Sequence, residues 1–507
     1  MSRKTTRRGF MKTGALVGLG FCVGGCRAPA KSCGSPKDKL NNSPLNYVDA
    51  TGLARRIRAK EVSPVEVMQE HLERIGSINS KINAIVVMNE AAMAQAQEAE
   101  AAIMRGERGG ALHGVPFTAK EVFDTEGTRT TRGSLLFENR VPKTDATSVR
   151  RLKEAGAILV GKTNCPEFAL SAETVNDLFG RTTNPWNTAC TSGGSSGGEA
   201  AAISAGLSPL GIGTDLGGSN RLPSHYCNTV GFKPTYGRIP LTGSWPEIMS
   251  RRMHVGPIAR SVRDVGLALS VLSGPDGVDP YALNLPAPQL TGLDGSGPVL
   301  RVGFFTEEPF APVDAEIQDV VTRAAAVLES LACTVEPVAF DWQDRLPIAF
   351  TLEMLVVEAR HYFAPVVSGH EDRLGDSIKA LLGAPRPTRS DYMKAMDKHQ
   401  ALARDLARFF GEYDLLLCPT APNVAPAHDS AKLVIDGVSA QASHAANITC
   451  TFGMSGHPAI SIPFGMSTDG LPIGVQLVAN HLDEEALLRA AAMLEAASAM
   501  SELRPPG

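Results

Sequence analysis

The sequence predicts an α/β protein: one large domain built around a buried sheet. Two observations carry this expectation. From Gly114 onward, short apolar runs such as Ala157–Val160, Leu210–Gly213 and Val299–Phe305 alternate with helical stretches and glycine-rich turns. Such runs are the pattern of strands covered on both faces. No internal repeat or low-complexity tract divides the 507 residues, and 43% hydrophobic against 20% charged residues supplies a large core.

The elements follow in chain order. Residues 47–106 read as helical. Ser63-Pro64-Val65-Glu66 is a capping box with proline at the first helical position. Val65, Met68, Leu72 and Ile75 then recur at helical spacing. A second helix is expected from about Glu90 to Met104. Residues 273–298, rich in Gly, Pro and Asp, read as a long loop. Helices are expected at about 315–331 and 391–410. A strand at Asp414–Cys418 ends in Pro419, and Ala459–Pro463 and Gly474–Val478 read as further strands.

The N-terminus reads as an address. Arg3, Lys4, Arg7, Arg8 and Lys12 form a basic stretch ahead of the uncharged Thr13–Gly25. That segment is short for a membrane span and suits a signal sequence. Thr6–Lys12, with its Arg7-Arg8 pair, is similar to a twin-arginine export signal. Val23-Gly24-Gly25-Cys26 is similar to a lipobox, in which Cys26 carries lipid and tethers the chain to a membrane. Ala28-Pro29-Ala30 offers a cleavage site instead. The expected organisation is a signal over 1–30, a flexible tether over 31–45 and the folded domain over 46–500. The expected location is the periplasm or cell envelope.

Net charge is −4 and no basic block follows the N-terminus, which argues against nucleic acid as a partner. The nine cysteines include no CxxC pair and the eleven histidines are scattered. Neither a disulfide framework nor a metal site is expected, and no cofactor. Oligomeric state is left open.

The densest chemical signal is Thr191-Ser-Gly-Gly-Ser195-Ser196-Gly-Gly-Glu199, running into the helix-forming Ala200–Ala205. A glycine turn at a helix start exposes amides that suit an anion. No lysine follows the glycines, so a Walker-type phosphate loop is excluded. Further on, Gly217 and Gly218 precede Ser219, a turn in which amides can point inward at a developing oxyanion. Upstream, Lys120 ends the apolar Val115–Ala119. It is either a solvated strand end or, in a dry pocket beside hydroxyls, a neutral base.

Taken together, Lys120, the Gly193–Gly198 loop and the Gly217–Ser219 turn resemble the amidase signature family. Their separations agree: 75 residues from Lys120 to Ser195 and 24 from Ser195 to Ser219. Gly161–Asn164, Val230–Thr235, Gly256–Asp264 and Gly470–Gln476 match further motifs, so the resemblance spans about residues 47–498. It implies a central mixed β-sheet flanked by helices. It also implies a Ser-Ser-Lys triad that cleaves a C–N acyl bond of a small-molecule amide, anilide or carbamate, with esters as further substrates. Ser219 is then the nucleophile. Ser195, after a cis peptide bond, relays protons to Lys120, and the amides of Leu216, Gly217, Gly218 and Ser219 form the oxyanion hole.

Two alternatives have the same motifs. The amidotransferase component that handles mischarged tRNA shares the triad, but an export signal argues against it. A scaffold with a dead site is at odds with an intact Lys120, Ser195 and Ser219. The sequence departs from the family pattern at Asn220 and at His225-Tyr226-Cys227-Asn228. With Ser196, Trp245 and Met249, His225 and Tyr226 are the residues expected to touch substrate.

Overall fold

Continuous apolar runs bounded by glycine turns become strands buried on both faces at Pro116–Lys120, Ile158–Thr163, Leu210–Asp215 and Leu415–Pro419. β1 (Ile85–Met88), β2 (Pro116–Lys120), β3 (Ile158–Thr163), β4 (Val175–Asn176), β5 (Gly180–Arg181), β6 (Leu210–Asp215), β7 (Val230–Lys233) and β8 (His254–Ala259) precede the long loop. β9 (Arg301–Phe304), β10 (Thr334–Pro337), β11 (Leu415–Pro419), β12 (Lys432–Ile435), β13 (Val438–Gln441), β14 (Ala459–Met466) and β15 (Pro472–Ala479) follow it. The computed structural model describes residues 43–506, apart from 249–251, 289–291, 294, 308, 310–311 and 343–346. The expected signal, almost all of the tether, Cys26 and Met249 lie outside the described residues.

Eleven strands form one sheet in the order β1-β3-β2-β6-β8-β7-β14-β15-β11-β9-β10. β3, β2 and β6 run parallel, as do β11, β9 and β10. The pairs from β6 through β8, β7, β14 and β15 to β11 are antiparallel. The sheet is therefore mixed, within a single α/β domain. Alternation along β15 separates two cores. Ile473, Val475 and Leu477 enter a cluster under helices Val262–Leu272, Ala315–Ser330 and Glu484–Ala497, whereas Val478 enters one under Pro347–Val367 and Arg389–Phe409.

The capping box forms: Glu66 N donates to Ser63 Oγ at 3.1 Å and Ser63 N to Glu66 Oε2 at 2.7 Å, opening helix Pro64–Ile82. The second helix runs Ala92–Met104. Between them lies β1, an edge strand hidden in a stretch that reads as helical. The 21-residue helix Pro347–Val367 also went unread. Its Phe350, Thr351, Met354, Leu355, Val356 and Ala359 are all buried, so no clean polar face betrays its period.

Candidate active site

β2 and β6 are parallel neighbours of one sheet, and their carboxyl ends deliver Lys120 and Asp215. The 191–196 loop then feeds helix Gly197–Ser204. Lys120 Nζ donates to three hydroxyls: Ser195 Oγ at 2.7 Å, Thr214 Oγ1 at 2.9 Å and Ser196 Oγ at 3.0 Å. The Gly194–Ser195 peptide is cis. Lys120 is fully buried, and that burial pulls its amine from 10.5 down to about 8, against the pull of the Asp215 and Glu199 carboxylates.

The Gly217–Ser219 turn is wound around Asp215. Gly218 N donates to Asp215 Oδ1 at 2.8 Å and Asn220 N to Oδ2 at 3.2 Å. Gly218 has φ +120°, and a Cβ there would lie 2.2 Å from Thr449 Oγ1. Thr449 Oγ1 itself donates to Gly217 O at 2.8 Å. Ser196 N donates to Ser219 O at 3.1 Å, tying the two loops together. Ser195 and Ser196 are buried, whereas Ser219 is half-buried and reaches solvent. A buried amine on one serine, beside a loop presenting a second, accessible serine after two glycines, is equipped to move a proton and attack an acyl carbon.

Lys120, Ser195 and the Ser219 turn are thus brought together. Gly218 N–H is engaged by Asp215 and is not free for an oxyanion. Ser196 lies inside the polar network, where its hydroxyl donates to Asn220 Oδ1 at 3.0 Å. His225 is held by backbone groups on both ring nitrogens. Its Nδ1 accepts from Gly474 N at 2.8 Å, and its Nε2 donates to Asn423 O at 3.1 Å. Burial lowers it to about 4, so it is a neutral structural imidazole. Tyr226 packs with Cys190, Ala200, Leu222 and Ala421. Trp245 meets Phe168 with ring centroids 4.7 Å apart and Phe363 at 5.3 Å, in the apolar cluster that includes Leu216.

Three contributors escaped the sequence reading. Thr214 is the third hydroxyl on Lys120. Arg221 pairs with Asp215, and its Nη1 donates to Gln476 Oε1 at 2.7 Å. The signal was present, since Asp215 and Arg221 bracket the glycine turn with opposite charges. Asn220, noted only as a departure, donates from Nδ2 to Phe232 O and Gly256 O, each at 3.2 Å, and so anchors the turn to β7 and β8. Among the described residues no cluster of His, Cys, Asp and Glu is placed to hold a metal.

Comparison with known proteins gives the family. The Amidase family profile matches residues 66–488. The A component of the glutamyl-tRNA(Gln) amidotransferase of Geotalea daltonii is 34% identical over 467 residues, 87% of this chain and 95% of its own. A crystal structure of a bacterial aryl acylamidase of the amidase signature family superposes with a TM-score of 0.84 at 28% identity, covering 91% of this chain and 98% of its own. The 6-aminohexanoate cyclic dimer hydrolase in complex with substrate gives 0.81 at 30%, covering 91% and 99%. The chain therefore belongs to the amidase signature family, whose enzymes act on C–N bonds.

Proposed function

We propose that this protein is an amidase that hydrolyses the C–N acyl bond of a small-molecule amide, anilide or carbamate through an acyl-enzyme on Ser219. The observation that carries the reading is the 2.7 Å contact between Lys120 Nζ and Ser195 Oγ, at an amine lowered by burial to about 8. In its neutral form Lys120 takes the Ser195 proton as Ser195 takes that of Ser219. Ser219 Oγ then bonds to the carbonyl carbon, and the oxyanion meets the amides of Leu216, Gly217 and Ser219. The proton returns through Ser195 to the leaving nitrogen as the C–N bond breaks. Water attacks the ester in turn and frees Ser219. Activated esters enter by the same route.

The test is a hydrolysis screen over anilides, aliphatic amides, carbamates and esters, paired with fluorophosphonate labelling. No labelling and no turnover on any class would sink the proposal. A second reading, a component of a tRNA-dependent amidotransferase, is favoured by the 34% identity to the Geotalea daltonii protein. Glutamine-dependent transamidation is the result that would select it.

We further infer export by the twin-arginine route, from Arg7-Arg8 ahead of an uncharged segment. Changing both arginines to lysine should hold the protein in the cytoplasm. Radiolabelled fatty acid should enter the wild type but not Cys26→Ser. Export without lipid selects cleavage near Ala30.

A further inference from the structure

Beneath Lys120 lies a second buried carboxylate that the proposed reaction leaves unused. Glu199 sits in the first turn of helix Gly197–Ser204 and is fully buried. Thr163 Oγ1 donates to its Oε2 at 2.6 Å, and Thr118 Oγ1 donates to its Oε1. These threonines bracket Lys120. Thr118 is two residues back along β2, hence on the same face, and Thr163 is the register partner of Lys120 on β3. On the third side, Gly211 of β6 pairs with Thr118. A Cβ at Gly211 would sit 1.7 Å from Glu199 Oε1, so any other residue would fill the carboxylate's space. Three strands are thus shaped to hold a carboxylate on the face that carries Lys120.

The charges around it sort by face. Burial pushes Glu199 up to about 7, while the Thr118 and Thr163 hydroxyls and the Lys120 and Lys162 charges pull it back. Lys162 pairs with Ala119 and so projects from the opposite face. There its Nζ donates to Phe123 O at 2.5 Å and Thr125 Oγ1 at 3.0 Å, and it faces Glu121, Asp124 and Arg140. Lys120 shares the Glu199 face and is also exposed to Asp215 and the Cys165 thiol.

We propose that Glu199 is the electrostatic counterweight to Lys120: a positioning residue whose carboxylate, held by the Thr118 and Thr163 hydroxyls, steadies the ammonium that forms when Lys120 accepts a proton. The inference deepens the reading of Lys120 as base and rests on it for its catalytic meaning. Asp215 still acts on Lys120 when Glu199 is removed, but with one of its two carboxylates lost Lys120 becomes a weaker proton acceptor.

The test is a titration of the full chain carrying lysine labelled with ¹³C at Cε, with Lys120 assigned by the resonance lost in Lys120→Met. Glu199→Gln keeps the size and can still bond to both threonines. The Lys120 midpoint should fall by about one pH unit in this variant, and the rising limb of kcat/KM should move with it. An unchanged midpoint overturns the proposal, because a merely structural Glu199 would alter stability alone. A moved midpoint with an unmoved kinetic limb upholds the role of Glu199 and instead removes Lys120 as the base. Should Glu199→Gln fail to fold, Thr163→Val takes its place. Losing that donor makes Glu199 harder to ionise, so the Lys120 midpoint should move the same way by less, and no movement again overturns the proposal.

Discussion

Arg221 grips Asp215 with two nitrogens along one edge of its guanidinium, Nε to Oδ2 at 2.9 Å and Nη2 to Oδ1 at 2.8 Å, and neither side chain is exposed. The same carboxylate accepts Gly218 N and Asn220 N. The turn presenting Ser219 is therefore wound on one buried ion pair. Burial pushes the Asp215 carboxyl up, but the charge and hydrogen bonds of Arg221, with Lys233 and His254 behind it, outweigh burial and hold it well below the usual carboxylate range.

Asp215→Asn should therefore be costly. It keeps the shape but leaves Arg221 buried without its countercharge, a loss of about 3–5 kcal/mol. The effect on turnover should appear mainly in kcat, since the turn loses its template. The pH dependence has a definite sign. A carboxyl depressed in the folded state lends stability above its unfolded pKa, near 4, and loses it as pH falls below that. The stability gap between wild type and variant, measured by urea denaturation, should narrow from pH 5 toward pH 3.

The serines should separate by role. Ser219→Ala should abolish turnover and fluorophosphonate labelling with Tm unchanged, because a half-buried hydroxyl is all that is removed. Ser195→Ala should be nearly as damaging to kcat. Ser196→Ala should retain more activity but lose about 1 kcal/mol of stability, because its hydroxyl ties the loop to Asn220. A Ser196→Ala enzyme slower than Ser195→Ala would reverse the two assignments.

Gly218 has no room for a side chain and a φ that disfavours one. Gly218→Ala should shift the turn against Thr449 and misplace the neighbouring amides. We expect kcat/KM to fall about 100-fold, as for loss of one oxyanion donor, with the circular dichroism spectrum retained. Wild-type activity in this variant would rule out an oxyanion site on the amides of Leu216, Gly217 and Ser219.

The parts legible in the sequence were those whose physics is local. The capping box at Ser63–Glu66 announced its helix, and the apolar run ending at Lys120 announced β2. What stayed hidden depended on distant partners. Nothing near His225 in the seven-residue helix Arg221–Cys227 indicates that Gly474 and Asn423 will take both of its nitrogens. Thr214 gives no sign of contact with Lys120 until β6 is laid beside β2. Asn220 reads only as a departure from the family pattern because its partners lie 12 and 36 residues ahead, on two other strands.

Lys120 offers the sharpest test of mechanism, because it must act twice, first as base and then as acid. An amine leaves poorly unless it is protonated as the C–N bond breaks, whereas an alkoxide or phenoxide needs less help. Lys120→Ala should therefore lose more amidase than esterase activity, and the difference should shrink as the leaving group becomes more acidic. Only the neutral amine can accept the first proton, so wild-type kcat/KM should rise about tenfold per pH unit below about 8 and level off above it. That limb should be missing in Lys120→Ala. Stability should follow a related course. A lysine lowered by burial binds its proton more weakly when folded, so the folded state gains stability as pH rises from about 8 toward 10.5, and Lys120→Ala should lose its own share of that gain while the share from Lys162 remains. A permanently charged Lys120 that only holds the loop predicts equal losses on amide and ester and no missing limb. Measuring kcat/KM for a matched amide and ester from pH 5 to 10 in both proteins distinguishes the two.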